Sequence, residues 1–299
     1  MIEFRAFSKS FGGHPAVEKL SLRVEKGHVL ALLGPNGSGK TTSLKAAAGL
    51  IRPSAGEVLI GDPARPAGEP SARRQLSFLP QRAAFPEALS GREVVDFYRR
   101  LRGVGEERAR EVLRFASLNG SGDRSVGAYS GGMLQRLGLA VALLPDAPVF
   151  LLDEPTAALD PDGLCAFYGV VERARSDGRA VLFTSHQLGD AERLADRFAV
   201  LVAGRLVADW SARELKDRLA ERGVMRLRLA DQPAGLLENV RRLAPLSVWS
   251  GDELIVPGPA SVRPAILDLV RERGHVICGL TAEEGRLDVL YRELVGEAS

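Results

Sequence analysis

The sequence predicts an α/β core interrupted by a block of helices and followed by a smaller α+β domain. Three observations carry this. Short runs at His28–Leu33, Val149–Leu152 and Ala180–Thr184 are almost wholly apolar, as strands buried on both faces of a parallel sheet are. From Phe85 to Leu144, between the first two of these runs, the apolar spacing is helical instead. Near residue 215 the rhythm changes again, to strand–helix–strand–strand–helix–strand. A chain of 299 residues has room for one large domain and one small one, here expected at 1–215 and 222–299.

The elements follow in order. Ser21–Val24 and His28–Leu33 read as strands, and Thr41–Leu50 as a helix stopped by Gly49 and Pro53. Glu57–Ile60 is a strand, Gly61–Pro70 a Pro/Gly loop, and Gln75–Leu79 a strand ending at Pro80-Gln81. Ser90 and Glu93 have capping-box spacing and open the helix Glu93–Arg102. Glu106–Leu118 is helical through Ala109, Val112, Leu113 and Ala116, and Met133–Leu144 closes the block. Helices at Gly163–Arg175 and Leu188–Arg197 accompany the later strands. After the charged helix Ala212–Arg222 come strand Val224–Leu229, helix Ala234–Leu243 and strands Leu246–Trp249 and Glu253–Val256, joined by Ser250-Gly251-Asp252. Helix Val262–Glu272 and strand His275–Leu280 complete the split-βαβ order of ferredoxin-like folds, and Arg286–Val295 is a last helix. His275 reads as a surface or packing residue.

Composition narrows the function. Forty basic residues against 38 acidic leave +2, so bulk charge makes no case for nucleic acid. Cys165 and Cys278 lie far apart with no CxxC and are expected to be reduced core thiols of a cytosolic protein. The N-terminal residues lack the apolar segment of a signal peptide, and no run approaches the ~20 apolar residues that span a bilayer. A role at a membrane would be exercised from outside the lipid.

Three segments carry phosphate chemistry. Gly34-Pro35-Asn36-Gly37-Ser38-Gly39-Lys40-Thr41 fits GxxxxGK[ST] between a buried strand and a helix. Its backbone N–H groups can close around phosphate oxygens at the positive end of the helix dipole. Lys40 should reach the β/γ-phosphates, and the Thr41 hydroxyl should ligate Mg²⁺. Val149–Leu152 delivers Asp153 and Glu154 to the end of a strand, the first suited to Mg²⁺ and the second to polarising water as general base. His186, after the strand Ala180–Thr184, stands where it can meet the γ-phosphate and the attacking water. Ser130-Gly131-Gly132 opens the helix Met133–Leu144 and makes a second anion-binding helix start. One chain thus offers two such devices for what reads as one nucleotide.

On these segments, over about residues 2–215, the chain resembles the ATP-binding cassette (ABC) transporter ATPases, a branch of the P-loop NTPases with a RecA-like core. The three segments look like the family's Walker A, Walker B and signature motifs, with Met133 where the signature commonly has Gln. Pro80-Gln81 is similar to the Q-loop, Ala157–Asp160 to the D-loop and Ser185-His186 to the switch histidine, while Phe11 matches the aromatic that stacks on adenine. The resemblance implies a catalytic set of Glu154, His186 and Gln81, and Mg²⁺ held by Thr41, Gln81 and Asp153. It implies ATP contacts from Phe11, Val17, residues 34–42 (Thr42 included), Ser130, Gly131, Gly132 and Asp160.

The resemblance further implies a head-to-tail dimer of two copies. Lys40 of one copy and Ser130 of the other would clamp one ATP, and the helical block with Gln81 would receive a membrane permease encoded separately. It places the chain at the cytoplasmic face of the cell membrane, touching it only through the permease. The alternatives are a soluble ATPase of translation or DNA and a P-loop kinase or GTPase. Near-neutral charge, one cassette and no metal-ligand spacing disfavour the first, and Ser130-Gly131-Gly132 the second. Residues 72–103 and 130–144 look like the ATPase serving copper-site maturation of nitrous-oxide reductase. Export of drug, lipid or sodium is the alternative cargo. The Met and Cys residues are scattered, so copper or sulfur would travel through partner subunits.

Overall fold

A computed structural model describes residues 1–116 and 120–297. Met1–Trp210 and Ser211–Glu297 form two compact units. The first contains strands β1 (Ile2–Phe11), β2 (His14–Val24), β3 (Val29–Leu33), β4 (Ala55–Ile60), β5 (Arg65–Pro66), β6 (Leu76–Leu79), β7 (Val149–Asp153), β8 (Ala180–Ser185), β9 (Arg197–Val202) and β10 (Arg205–Ser211). Its helices are α1 (Lys40–Ala47), α2 (Pro70–Arg74), α3 (Gly91–Arg102), α4 (Glu106–Phe115), α5 (Gly131–Leu143), α6 (Pro161–Ser176) and α7 (Leu188–Leu194). Leu118, the expected end of α4, lies outside the described residues.

Two sheets enclose one core. The antiparallel sheet runs β2-β1-β4-β5, and the six-stranded sheet runs β10-β9-β3-β8-β7-β6 with parallel pairing from β9 through β6. Phe4, Phe7 and Val58 of one sheet share an apolar cluster with Leu30, Leu32, Leu151 and Leu182 of the other, and Leu44, Ala46 and Ala47 of α1 join it. Every residue of β3 is buried, which fixes the strand feeding the phosphate loop at the centre of the molecule's apolar interior.

Even alternation does not mark β1, and the reason is local. Ala6 has φ 46° and the pairing with β2 shifts between Phe4 and Phe7, so Ile2, Phe4 and Phe7 face inward although unevenly spaced. Lys19, at φ 48°, does the same for Val17 and Leu20 in β2. The predicted loop 61–70 contains β5, which pairs with Leu59 and Ile60, and ends at α2, whose first residue is Pro70. The predicted helix Leu188–Arg197 stops at Leu194, because Arg197 already begins the buried strand β9 beside β3.

The helical block is α3, α4 and α5. Ser90 caps α3 as expected: its Oγ accepts from the Glu93 N–H at 3.2 Å, and Glu93 Oε2 accepts from the Ser90 N–H at 2.8 Å. Val94, Val95, Val112, Leu113, Leu137 and Leu139 are buried along the three helices.

The second unit holds α8 (Ala212–Glu221), β11 (Val224–Leu229), α9 (Leu236–Leu243), β12 (Val248–Ser250), β13 (Glu253–Pro257), α10 (Arg263–Glu272), β14 (Ile277–Glu283) and α11 (Leu287–Glu297). Its sheet runs β12-β13-β11-β14 with every neighbouring pair antiparallel, the arrangement in which β13 splits the β11–α9–β12 unit. Met225, Leu227, Leu254 and Val256 face Leu236, Val240, Ile266 and Val270 of α9 and α10 in one cluster.

The cysteines correct an expectation. Both are exposed rather than core thiols. Cys165 lies off the buried stripe Phe167, Val171 and Ala174 of α6, and Cys278 sits on β14, an edge strand.

Candidate active site

The phosphate loop leaves the carboxyl end of β3 and enters α1, the position at which parallel sheets bind ligands. A cavity of about 280 Å³ opens there, lined by Ala16, residues 36–42, Gln81 and Glu154. Gly39 caps α1 at φ 103°, and a Cβ on it would fall 2.5 Å from the Ala16 carbonyl oxygen, so the turn admits only glycine. Lys40 is buried, and its Nζ donates to the carbonyls of Gly34 at 2.7 Å and Pro35 at 3.1 Å. An ammonium has three protons, so one is left for a ligand. Burial pushes the Lys40 pKa below the usual lysine range, and the Glu154 and Asp153 carboxylates oppose that shift. Ser38 Oγ is buried without a hydrogen-bond partner.

The second acidic element meets the same cavity. Asp153 ends β7 opposite Thr184 of β8 and is buried. Thr184 Oγ1 donates to Asp153 Oδ1 at 2.7 Å, while Asp153 Oδ2 is buried and unpartnered. Glu154 has φ 48°, a conformation that costs a non-glycine residue about 1–3 kcal/mol and persists only when the surroundings hold it. Its N–H donates to Thr184 Oγ1 at 2.8 Å, and its carbonyl accepts from the Ala157 N–H at 3.2 Å and the Gln135 amide at 3.4 Å. Its Oε2 accepts from Gln81 Nε2 at 3.1 Å and lies 3.4 Å from His186 Nδ1, a pair that is ionic only when the imidazole is protonated. Glu154, Gln81 and His186 are therefore gathered on one carboxylate.

The signature residues stand apart. Ser130 is exposed at the start of α5, where its Oγ accepts from the Met133 N–H at 3.3 Å. A Cβ on Gly132 would fall 2.7 Å from the Ala158 carbonyl, so this helix start packs closely on the loop after β7. Asp160 caps α6 through the Gly163 N–H at 3.0 Å, and its other oxygen meets Arg136 at 3.4 Å. Ser130, Gly131, Gly132 and Asp160 do not line the phosphate-loop cavity. Phe11, half exposed at the end of β1, lies with its ring 4.9 Å from Lys9 Nζ. Val17 is buried in the core, and Ala16 lines the cavity in its place.

Several residues of this region carried no sequence signal. Gln135 is buried and ties α5 to the carbonyls of Glu154 and Pro155. Asp190 of α7 is buried and accepts from Thr156 Oγ1 and Tyr168 Oη, both at 2.6 Å, which links the loop after β7 to α6 and α7. Burial, then the hydrogen bond to Asp190, drives the Tyr168 pKa far up. Thr184 reads in the sequence only as the end of an apolar run; its pairing opposite Asp153 is visible once the strands are aligned.

A phosphate loop at the carboxyl end of a parallel strand, with an acidic pair on the strand two places away, defines a P-loop ATPase fold. The ABC transporter family profile matches residues 17–157. The chain is 35% identical to a daunorubicin resistance ATP-binding protein of Streptomyces coeruleorubidus, over 97% of this chain and 94% of that protein. It is 35% identical to a Nod factor export ATP-binding protein I of Burkholderia orbicola, over 88% of each. An ATP-binding cassette solved as a dimer in a post-hydrolysis state with ADP and Pi is 25% identical, with a TM-score of 0.64 over 71% of this chain and 99% of that one. The chain belongs to the ABC transporter family and is its ATP-binding, ATP-hydrolysing subunit. Neither of the two named relatives concerns copper-site maturation, so that finer expectation gains no support. Among the described residues no helix is long and apolar enough to cross a membrane.

Proposed function

We propose that the chain works as one half of a head-to-tail pair that closes on ATP, and that it drives export of an organic molecule through a separately encoded permease. One observation carries this reading: the cavity at the phosphate loop has no contribution from Ser130-Gly131-Gly132, although that exposed helix start has the same chemistry as the first. A second copy is the natural source of the missing half. The dimeric cassette described above supports this by analogy.

Within the pair, the residues divide the work. N–H groups among residues 36–42, which line the cavity, and the remaining Lys40 proton bind phosphate oxygens, and Phe11 stacks on the adenine. Glu154 takes the proton of the attacking water, while Gln81 and His186 orient its carboxylate and that water. The partner copy adds Ser130, Gly131 and Gly132, with Asp160 shaping the junction. A buried carboxylate oxygen with no partner beside a phosphate loop fits a divalent cation, so Thr41, Asp153 and Gln81 would hold Mg²⁺, which neutralises phosphate charge.

The helical block with Gln81 is assigned to the permease contact, which puts the chain at the cytoplasmic face of the cell membrane. The nucleotide work belongs to the first unit, and the ferredoxin-like unit is an accessory to it. For cargo, relatives named for daunorubicin resistance and Nod factor export favour an organic molecule. The copper-linked reading, which neither named relative favours, stands behind it.

The test is complementation between two inactive variants. Lys40→Ala and Ser130→Ala should each be inactive alone and should regain activity when mixed, since a mixed pair rebuilds one whole site. Absence of recovery at any ratio would contradict the shared site.

A further inference from the structure

We propose that Thr184 is a positioning residue for hydrolysis, one hydroxyl that sets the Asp153 carboxylate and the Glu154 backbone together. The parallel register between β7 and β8 brings Thr184 directly opposite Asp153. There it is 0% exposed, and Asp153 is 1% exposed, so bulk water does not compete for either group.

The hydroxyl has a single proton, and its direction is fixed by what surrounds it. The Glu154 N–H approaches Oγ1 at 2.8 Å and can only donate. The proton of Thr184 must therefore go to Asp153 Oδ1, at 2.7 Å. That commits Oδ1 and leaves Oδ2, buried and unpartnered, as the oxygen available to a cation. The same contact anchors Glu154 from its N–H side. Its carbonyl is held from the other side by the Ala157 N–H and the Gln135 amide. At φ 48° the residue depends on such anchors to present its side chain to Gln81 and His186. Valine keeps the shape of threonine without its hydroxyl, and serine keeps the hydroxyl without the methyl. A methyl group in its place strands the buried Asp153 Oδ1 and the part-buried Glu154 N–H at once.

The inference rests on the proposed roles of Asp153 and Glu154, and the experiment separates the two. In the full chain, Thr184→Val, Thr184→Ser and Glu154→Gln are compared by steady-state ATPase kinetics, by ATP affinity with Mg²⁺ and with EDTA, and by thermal melting. Thr184→Val should lower kcat by about 10–100-fold, the range seen when a partner of a metal-binding group is removed. Its ATP affinity in EDTA should match the wild type, while the gain in affinity on adding Mg²⁺ shrinks. Thr184→Ser should restore both kcat and the Mg²⁺ gain, which a purely structural role would not require. If the valine variant does not fold, Thr184→Ala is read against Thr184→Ser in the same way. Wild-type kcat and an unchanged Mg²⁺ gain in Thr184→Val, with Glu154→Gln inactive, would overturn the assignment of Thr184 alone. Full turnover by Glu154→Gln would overturn the reading beneath it, and this proposal with it.

Discussion

The starts of α1 and α5 are built from the same materials and end in opposite states. Each start combines serine with glycines, Gly37-Ser38-Gly39 ahead of α1 and Ser130-Gly131-Gly132 opening α5, and each leaves backbone N–H groups of its first turn without helical partners. At α1 the turn folds inward: Gly39 presses on the Ala16 carbonyl, Ser38 and Lys40 are buried, and a lysine proton remains to be used. At α5 Ser130 and Gly131 are exposed and no lysine accompanies them. A helix dipole contributes about 0.3–1 kcal/mol to an exposed anion, so the second start is a weak site by itself. The difference teaches that the chain carries one prepared half-site and one half-site that gains value only when another surface dehydrates it.

Substitutions can break or sharpen that contrast. The largest effect should come from Glu154→Gln, which removes the base: turnover should fall by about 10²–10⁴-fold while ATP binding persists, as kinetics and calorimetry on the same sample would show. Lys40→Ala removes a charge-assisted hydrogen bond of about 1.5–3 kcal/mol, so ATP affinity of a single chain should drop roughly 10- to 100-fold. On the other side of the comparison, Gly132→Ala drives a methyl against the Ala158 carbonyl. It should cost about 1–3 kcal/mol in a thermal melt and impair hydrolysis more than single-chain ATP binding. Phe11→Ala should leave stability nearly unchanged, because the ring is half exposed, and weaken ATP binding by the ~0.5–1.5 kcal/mol of an aromatic stack. Arg136→Ala removes the ion pair with the exposed Asp160 and should shift stability by less than about 1 kcal/mol.

What the sequence discloses follows the same division. The phosphate loop is legible because its chemistry needs fixed residue types at fixed spacing, and the strand Val149–Asp153 because a doubly buried strand must be apolar throughout. The ferredoxin-like order is legible because its strands and helices are short and well separated. β1 is not, since the left-handed residue Ala6 moves the inward face by one position partway along. β9 is obscured for another reason: Ala191, Leu194, Ala195 and Phe198 are buried at helical spacing, so the periodicity of α7 runs on into the strand. Thr184, Gln135 and Asp190 escape because their partners are 19 to 34 residues away, in contacts that only the assembled sheet creates. Residue type alone places the cysteines in the core, whereas their exposure depends on which side of α6 and β14 they fall.

The central claim is that a second copy completes the ATP site. Its most direct test is the molar mass of Glu154→Gln in solution, measured with and without saturating ATP. One chain's mass is expected without nucleotide and two with it, with the pair lost again when Ser130→Ala is added. A variant that binds ATP fully and stays at the mass of one chain would contradict it.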